Sequence, residues 1–432
     1  MSKPLKIALV GFGNIGTGLV RHLAEYGDLI ASRLPRPIVL KTICDVDLER
    51  DRGVNTAGIT LTSDFQTILA DPEIEAVVEL VGGTRIAHTI VTGALEAGKH
   101  VVTANKALIA TFGGELFAAA RARGVQLLFE ASVGAGIPIM RSLQTGLQAD
   151  RIRSLHGILN GTCNFILSAM EDTPGLAFQT VLEEAMRLGY AEPDPTLDIE
   201  GDDTAHKIAI LGSLAFGRDL RHGNVAKMGI TRLSPADFAF ARRHGQTIKL
   251  LASAALGSDG TPALSVWPTL IPLNHAVGRV RGVTNTVWIE AEPIGPIMLT
   301  GAGAGQGSTS SGVLSDLCLI AQAGSGEALA RLNPLTIPSG GPERVVPPSH
   351  PRRVLRVATD RSAAVRAALP GYPVLAEESG TLVLVAPQQG EAERQELYGK
   401  LAGCGVGNES VCELRVELQA PEGVLGGAGG TA

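Results

Sequence analysis

At 432 residues, with 45% hydrophobic and 19% charged residues, the chain can bury a large core and is too long for one typical domain. A net charge of −6, from 37 basic and 43 acidic residues, offers no basic patch of the kind nucleic acid requires. Apolar runs stop short of the ~18 residues that a membrane span needs, so small polar metabolites are the partners to expect.

The opening MSKPLKIALVGFGNIG enters a strand and a glycine turn without the apolar core and small-residue cleavage site of a signal peptide. Five scattered cysteines with no C-x-x-C pair fit reduced thiols, and a cytoplasmic location is expected. The runs KIALVG, IVLKTICD, EAVVELVGG, KHVVTA and VQLLFEAS alternate with amphipathic segments such as GELFAAARARG. That alternation predicts an α/β fold with a Rossmann-type, doubly wound parallel sheet over residues 1–135.

Between the first strand and its helix stands Gly11-Phe12-Gly13-Asn14-Ile15-Gly16. Gly11 permits the tight turn, Gly13 lets the backbone approach a pyrophosphate, and Gly16 lets the helix pack on the strand. NAD or NADP is the expected cofactor, although such a turn can serve packing alone. Asp45, closing the second strand, stands where an acid can bond the adenosine ribose and repel a 2′-phosphate; as a loop carboxylate it needs no such role. Asp47, Arg50 and Arg52 lie close enough to change that preference. Lys106 follows the strand KHVVTA, and Gly83-Thr84 follows EAVVELV, so two loops offer an ammonium, backbone amides and a hydroxyl at one sheet edge. An exposed loop lysine is the plain alternative for Lys106.

Near residue 150 the pattern changes to a mixed α+β segment expected over 136–325, whose last helix is expected to return to the nucleotide domain. RIRSLHGILNG reads as a strand; helices are expected near 161–170, 178–188, 202–217 and 234–254, and strands near 263–271, 277–282 and 286–300. A Pro-rich linker (338–351) leads to a β-α-β-β-α-β order over 352–418, which is ferredoxin-like, and then a flexible tail (419–432).

The stretch Tyr190–Lys207 holds six carboxylates ahead of one lysine. From Asp202 apolar residues fall at helical spacing, which puts Asp203 and Lys207 four apart on one face. The positive helix end opposes the lysine's proton and Asp203 favours it, a setting suited to proton transfer. A surface ion pair worth a few tenths of a kcal/mol would have the same spacing.

The stretch AMRLGYAEPDPTLDIEGDDTAHK resembles the characteristic segment of homoserine dehydrogenases: Ala185, Gly189-Tyr190-Ala191-Glu192, Asp194-Pro195, then Asp198, Gly201, Asp203 and Lys207. GFGNIGTGL, TANKALIA, FEASVGAGIPI, LNGTCNFIL and LTGAGAGQGSTSSGVLSDL resemble the family's blocks in the same order, from about residue 5 to 322. The resemblance implies reversible hydride transfer between a nicotinamide and C4 of L-aspartate 4-semialdehyde, giving L-homoserine. It implies that Lys207 moves the proton, that Glu192 and Asp203 hold the amino acid with Asp198 in support, and that Lys106 contacts substrate and cofactor. Gly189 and Gly305 would border the nicotinamide, with Phe12, Asn14 and Ile15 in the turn.

The family's monovalent cation, typically sodium, would be held by Glu130 and the carbonyls of Val133, Ala135 and Ile137. Residues 136–325 would form the catalytic and dimerisation domain of a homodimer or homotetramer, and 352–418 an ACT-like regulatory module. TDRSAAV supplies Asp360 and Arg361 but lacks the glycine of the usual effector turn, so threonine feedback and a purely structural module both stand. Two other readings fit part of the sequence: an aspartate-semialdehyde dehydrogenase with a thioester on Cys163, and a nucleotide-binding sensor without catalysis.

Overall fold

A computed structural model of the chain describes residues 3–323, 336–343, 345–346, 352–378, 380–386 and 391–416. The expected tail over 419–432 lies outside the described residues, as do 344 and 347–351 of the expected linker. Two compact units emerge: Met1–Arg153 with Ala209–His222 and Ile289–Arg344, and Ser154–Ile208 with Gly223–Trp288 and Val345–Ala432.

The first unit is built on β1 (Leu5–Val10), β2 (Ile38–Cys44), β3 (Thr60–Thr62), β4 (Ala76–Glu79), β5 (His100–Thr103) and β6 (Leu127–Leu128). They pair in parallel in the order β3-β2-β1-β4-β5-β6. The order reverses between β1 and β4, and at such a switch point the carboxyl ends of the strands open a ligand crevice. Leu5, Ile7, Leu9, Ala76, Val77 and Val78 have no exposed surface. Near-continuous burial follows because helices cover both faces of a parallel sheet. The late helix Gln306–Ala323 joins this core through Val313, Leu317 and Ile320, clustered with Leu9 and Leu19.

The second unit holds β7 (Arg151–Ile158), which begins in the first unit, β8 (Ala226–Lys227), β9 (Gln246–Leu256) and β10 (Pro262–Pro272). It continues through β11 (Thr284–Glu292), which ends in the first unit, where β12 (Gly295–Ala302) follows. β13 (Arg352–Ala358), β14 (Val374–Glu378), β15 (Thr381–Ala386) and β16 (Val411–Val416) complete it. From β11 onward the sheet order is β11-β7-β9-β10-β16-β13-β15-β14, with β8 beside β10. β13, helix Ser362–Ala368, β14, β15, helix Glu391–Gly403 and β16 run in βαββαβ order around a core that includes Leu355, Leu384 and Leu401.

Three expectations need correction. The helix expected over 234–254 is a helix Pro235–Arg243 followed by β9. Ser234 and Asp237 form a capping box with Pro235 in the first turn, and Gly245 at φ +65° carries the chain out of the helix. Gln246 to Ala254 are all buried, and a strand buried on both faces has no alternation to distinguish it from a buried helix. The strand expected near 277–282 is a single 3₁₀ turn, Val277–Arg279. The run 286–300 is two strands, β11 and β12, parted by a turn at Pro293-Ile294. Among the described residues no helix is long and apolar enough to cross a membrane.

Candidate functional site

In the first unit the glycine turn links β1 to the helix Asn14–Arg33, whose N-cap is Gly13. Gly11 has φ +98°, and a Cβ there would lie 2.6 Å from the Leu80 carbonyl carbon; a Cβ at Gly16 would lie 2.3 Å from the Gly11 oxygen. At Gly13 a Cβ would meet nothing within 4 Å, so that side of the turn is open at a helix N-terminus suited to an anion. Asp45 braces the turn: its Oδ2 accepts from the Phe12 N–H at 2.5 Å and its Oδ1 from the Asp47 N–H at 2.9 Å. Arg52 lies over the Phe12 ring, 4.6 Å from the centroid, and its Nη2 is 3.6 Å from Asp45. Gln306 donates to the Asn14 side chain at 2.8 Å, beside Gly305 at φ +112°.

The loops after β4 and β5 are tied together. Asn105 donates to the Gly83 carbonyl at 2.6 Å, and its Oδ1 caps the helix Lys106–Arg123 through the Leu108 N–H at 3.0 Å. Thr84 is the N-cap of the helix Arg85–Glu96, so Gly83, Thr84 and Lys106 all stand at helix N-termini on the carboxyl edge of the sheet.

Farther along the same unit the Glu130 carboxylate, 2% exposed, accepts from the Met140 and Arg141 N–H groups at 2.9 and 2.8 Å. Asp316 accepts from the Glu130 N–H at 2.8 Å and from Arg141 Nη2 at 2.9 Å. Burial raises both carboxyls, Asp316 to about 8, against the pull of Arg141. Two buried carboxyls therefore share one guanidinium. Between Val133 and Ile137 the chain turns through Gly134 at φ +72° and Ala135 at φ +52°, the one non-glycine residue with positive φ among the described residues.

In the second unit β7 runs into the helix Gly161–Asp172, whose N-cap is Asn160. Asn160 Oδ1 accepts from the Cys163 N–H at 2.8 Å, while its Nδ2 donates to Asp198 at 2.7 Å and Asp203 at 2.9 Å. Lys207 Nζ donates to Asp203 Oδ2 at 2.8 Å and to the Leu159 carbonyl at 2.6 Å. Lys207 and Asp203 are 9% and 8% exposed, so the i,i+4 pair is a buried one and not a solvated surface pair. Asp198, Asp203, Lys207 and Asn160 form one cluster; Glu192 is exposed, and Gly189 at φ +75° follows the helix Phe178–Arg187.

Cys163 is fully buried, donates to the Asp198 carbonyl at 3.2 Å, and burial pushes its thiol well above the usual range. A thiolate nucleophile is disfavoured there, which removes the physical basis for the thioester rival. Nothing in the sequence alone marks the roles of Asn160, Asp316, Arg141 and Gln306 in these contacts. An Asn directly before a helix is a readable cap signal, but its two carboxylate partners come from elsewhere in the chain.

Residues 138–318 match the family model described as homoserine dehydrogenase, and residues 11–130 match its NAD binding domain. A homoserine dehydrogenase of Pseudomonas aeruginosa is 44% identical over 322 residues, 74% of this chain and 73% of that one. The crystal structure of a homoserine dehydrogenase from Thiobacillus denitrificans superposes with a TM-score of 0.86 at 36% identity, covering 96% of this chain and 98% of that one. A hyperthermophilic archaeal homoserine dehydrogenase in complex with NADPH gives 0.61 at 25% identity over 73% of this chain and 97% of that one.

Proposed function

The chain belongs to the homoserine dehydrogenase family and interconverts L-homoserine and L-aspartate 4-semialdehyde with a nicotinamide cofactor; from that premise we propose how its residues divide the work. Lys207 is the proton donor and acceptor. The observation that carries this is its burial: an ammonium 9% exposed, held by Asp203 and the Leu159 carbonyl, has one of its three N–H bonds left for a substrate oxygen. In the reducing direction that N–H stabilises the oxyanion as it forms and then transfers the proton. Asp203 and Glu192 hold the substrate's ammonium group, Asp198 supports Asp203 through the shared Asn160 amide, and Lys106 contacts substrate and cofactor.

The cofactor supplies or takes the hydride, and the protein's task is to orient it. Gly11, Phe12, Gly13, Asn14, Ile15 and Gly16 would hold the pyrophosphate; Gly83, Thr84, Gly189 and Gly305 would border the rest. Asp45 favours a free 2′-hydroxyl and the adjacent Arg52 a 2′-phosphate, so the cofactor is NADP or NAD according to which of the two governs. For the sodium-type cation we assign Glu130 with the carbonyls of Val133, Ala135 and Ile137. In its support, the segment that follows the buried Glu130 carboxyl turns between Val133 and Ile137 through positive φ at Gly134 and Ala135.

The nucleotide domain is assigned to 1–135, the catalytic and dimerisation domain of a homodimer or homotetramer to 136–325, and an ACT-like module to 352–418. The βαββαβ strand order supports the last, with an amino acid such as threonine as its effector. Five free thiols fit a reducing, cytoplasmic setting.

The test is the initial rate of L-homoserine oxidation with NAD and NADP in parallel, for wild type and Lys207→Ala. The variant should lose on the order of 10²- to 10⁴-fold in kcat while still binding homoserine. An unimpaired variant would refute the assignment, and the cofactor ratio reports whether Asp45 or Arg52 governs.

A further inference from the structure

Glu79 ends β4, the strand beside the switch point, and has no exposed surface. Its Oε1 accepts from the Val81 N–H at 2.8 Å, and its Oε2 from the Thr103 hydroxyl, which ends β5, at 2.6 Å. Thr103 Oγ1 in turn accepts from the Asn105 N–H at 3.0 Å, and Asn105 Nδ2 closes the ring on the Gly83 carbonyl at 2.6 Å. Among the described residues no cation pairs with this carboxyl, and burial raises it while its neutral donors pull it back. A buried acid held only by neutral donors costs stability that an apolar residue would not. What the acid gains is acceptor capacity for both loops at once.

We propose that Glu79 is a positioning residue for the cofactor: through Val81 and Thr103 it locks loop 80–84 to loop 103–106, fixing Gly83, Thr84 and Lys106 relative to one another. The inference rests on the assignment of those three residues to the cofactor site. Without the ring each loop can still form, but the two are no longer coupled, and a cofactor must order them as it binds.

The experiment measures binding of NADPH and NADH to the full chain by titration calorimetry, with urea unfolding of the same preparations. The proteins are wild type, Glu79→Gln, Thr103→Val, Thr103→Ser and, as a control, Lys106→Ala. Glu79→Gln and Thr103→Val should each raise Kd about tenfold or more, since each removes a bond made to a carboxylate. Thr103→Ser keeps the hydroxyl and should bind within about twofold of wild type.

Should Glu79→Gln fail to fold, the serine and valine pair decides alone. Unchanged Kd for Thr103→Val, or an equal rise for the serine variant, overturns the proposal, whatever happens to stability. A normal Kd and normal kcat for Lys106→Ala would instead bring down the underlying site assignment.

Discussion

Asn160 does two jobs, and two substitutions separate them. Its Oδ1 caps the helix Gly161–Asp172 through the Cys163 N–H at 2.8 Å, and its Nδ2 bridges Asp198 and Asp203 at 2.7 and 2.9 Å. Asn160→Ala removes both functions; Asn160→Ser keeps a capping oxygen and loses the bridging amide. Loss of a cap costs about 1 kcal/mol, so the alanine variant should be less stable than the serine variant by about that amount in urea unfolding. A hydrogen bond to a charged group is worth ~1.5–3 kcal/mol, part of it spent on holding Asp203 against Lys207. Both variants should therefore lose about 10- to 100-fold in kcat/KM for homoserine, by nearly the same factor. A serine variant with wild-type kcat/KM would sink the argument, because the carboxylates would then need no bridging donor.

Two further outcomes follow from buried groups. Lys249 has no exposed surface, donates to the Val280 carbonyl at 2.8 Å, and burial lowers its pKa from 10.5 to about 8. Between those values the unfolded chain holds the proton and the folded chain does not, so stability rises with pH across that window. Lys249→Met should be the more stable protein at pH 7, and its advantage should shrink by a few kcal/mol, ~1.4 per pH unit, by pH 10; urea curves that shift in parallel would contradict this. Cys163→Ala should retain kcat within about threefold and lose about 1–2 kcal/mol of stability, because the thiol packs and donates one weak bond. Loss of turnover, measured with matched active-site concentration, would reopen covalent chemistry.

The first unit was legible in its strands because a parallel sheet declares itself through short β-branched runs, glycine turns and intervening helices. β3 escaped because Thr60–Thr62 is three residues long and partly exposed, with no pattern to read. The sequence of β9 fits a helix as well as a strand, because burial on both faces erases the period that separates the two structures. Gly245, the residue that ends the helix, was visible in the sequence and carried the correct boundary.

The candidate site divides along a similar line. Asp203 and Lys207 could be paired from helix geometry alone, since residues four apart share a face, but spacing is silent on exposure. Exposure reverses the meaning of the pair: on the surface it adds a few tenths of a kcal/mol. At 8% and 9% exposure its desolvation offsets much of its attraction, and apolar residues of like volume would serve stability as well or better. What makes the buried pair tenable is the Asn160 amide and the Leu159 carbonyl, 43 and 48 residues away in sequence. Such partners cannot be found by periodicity, and the same is true of Glu79 and Thr103, which are 24 residues apart. A charge kept where packing would favour its removal points to chemistry, and that inference needs the fold to state it.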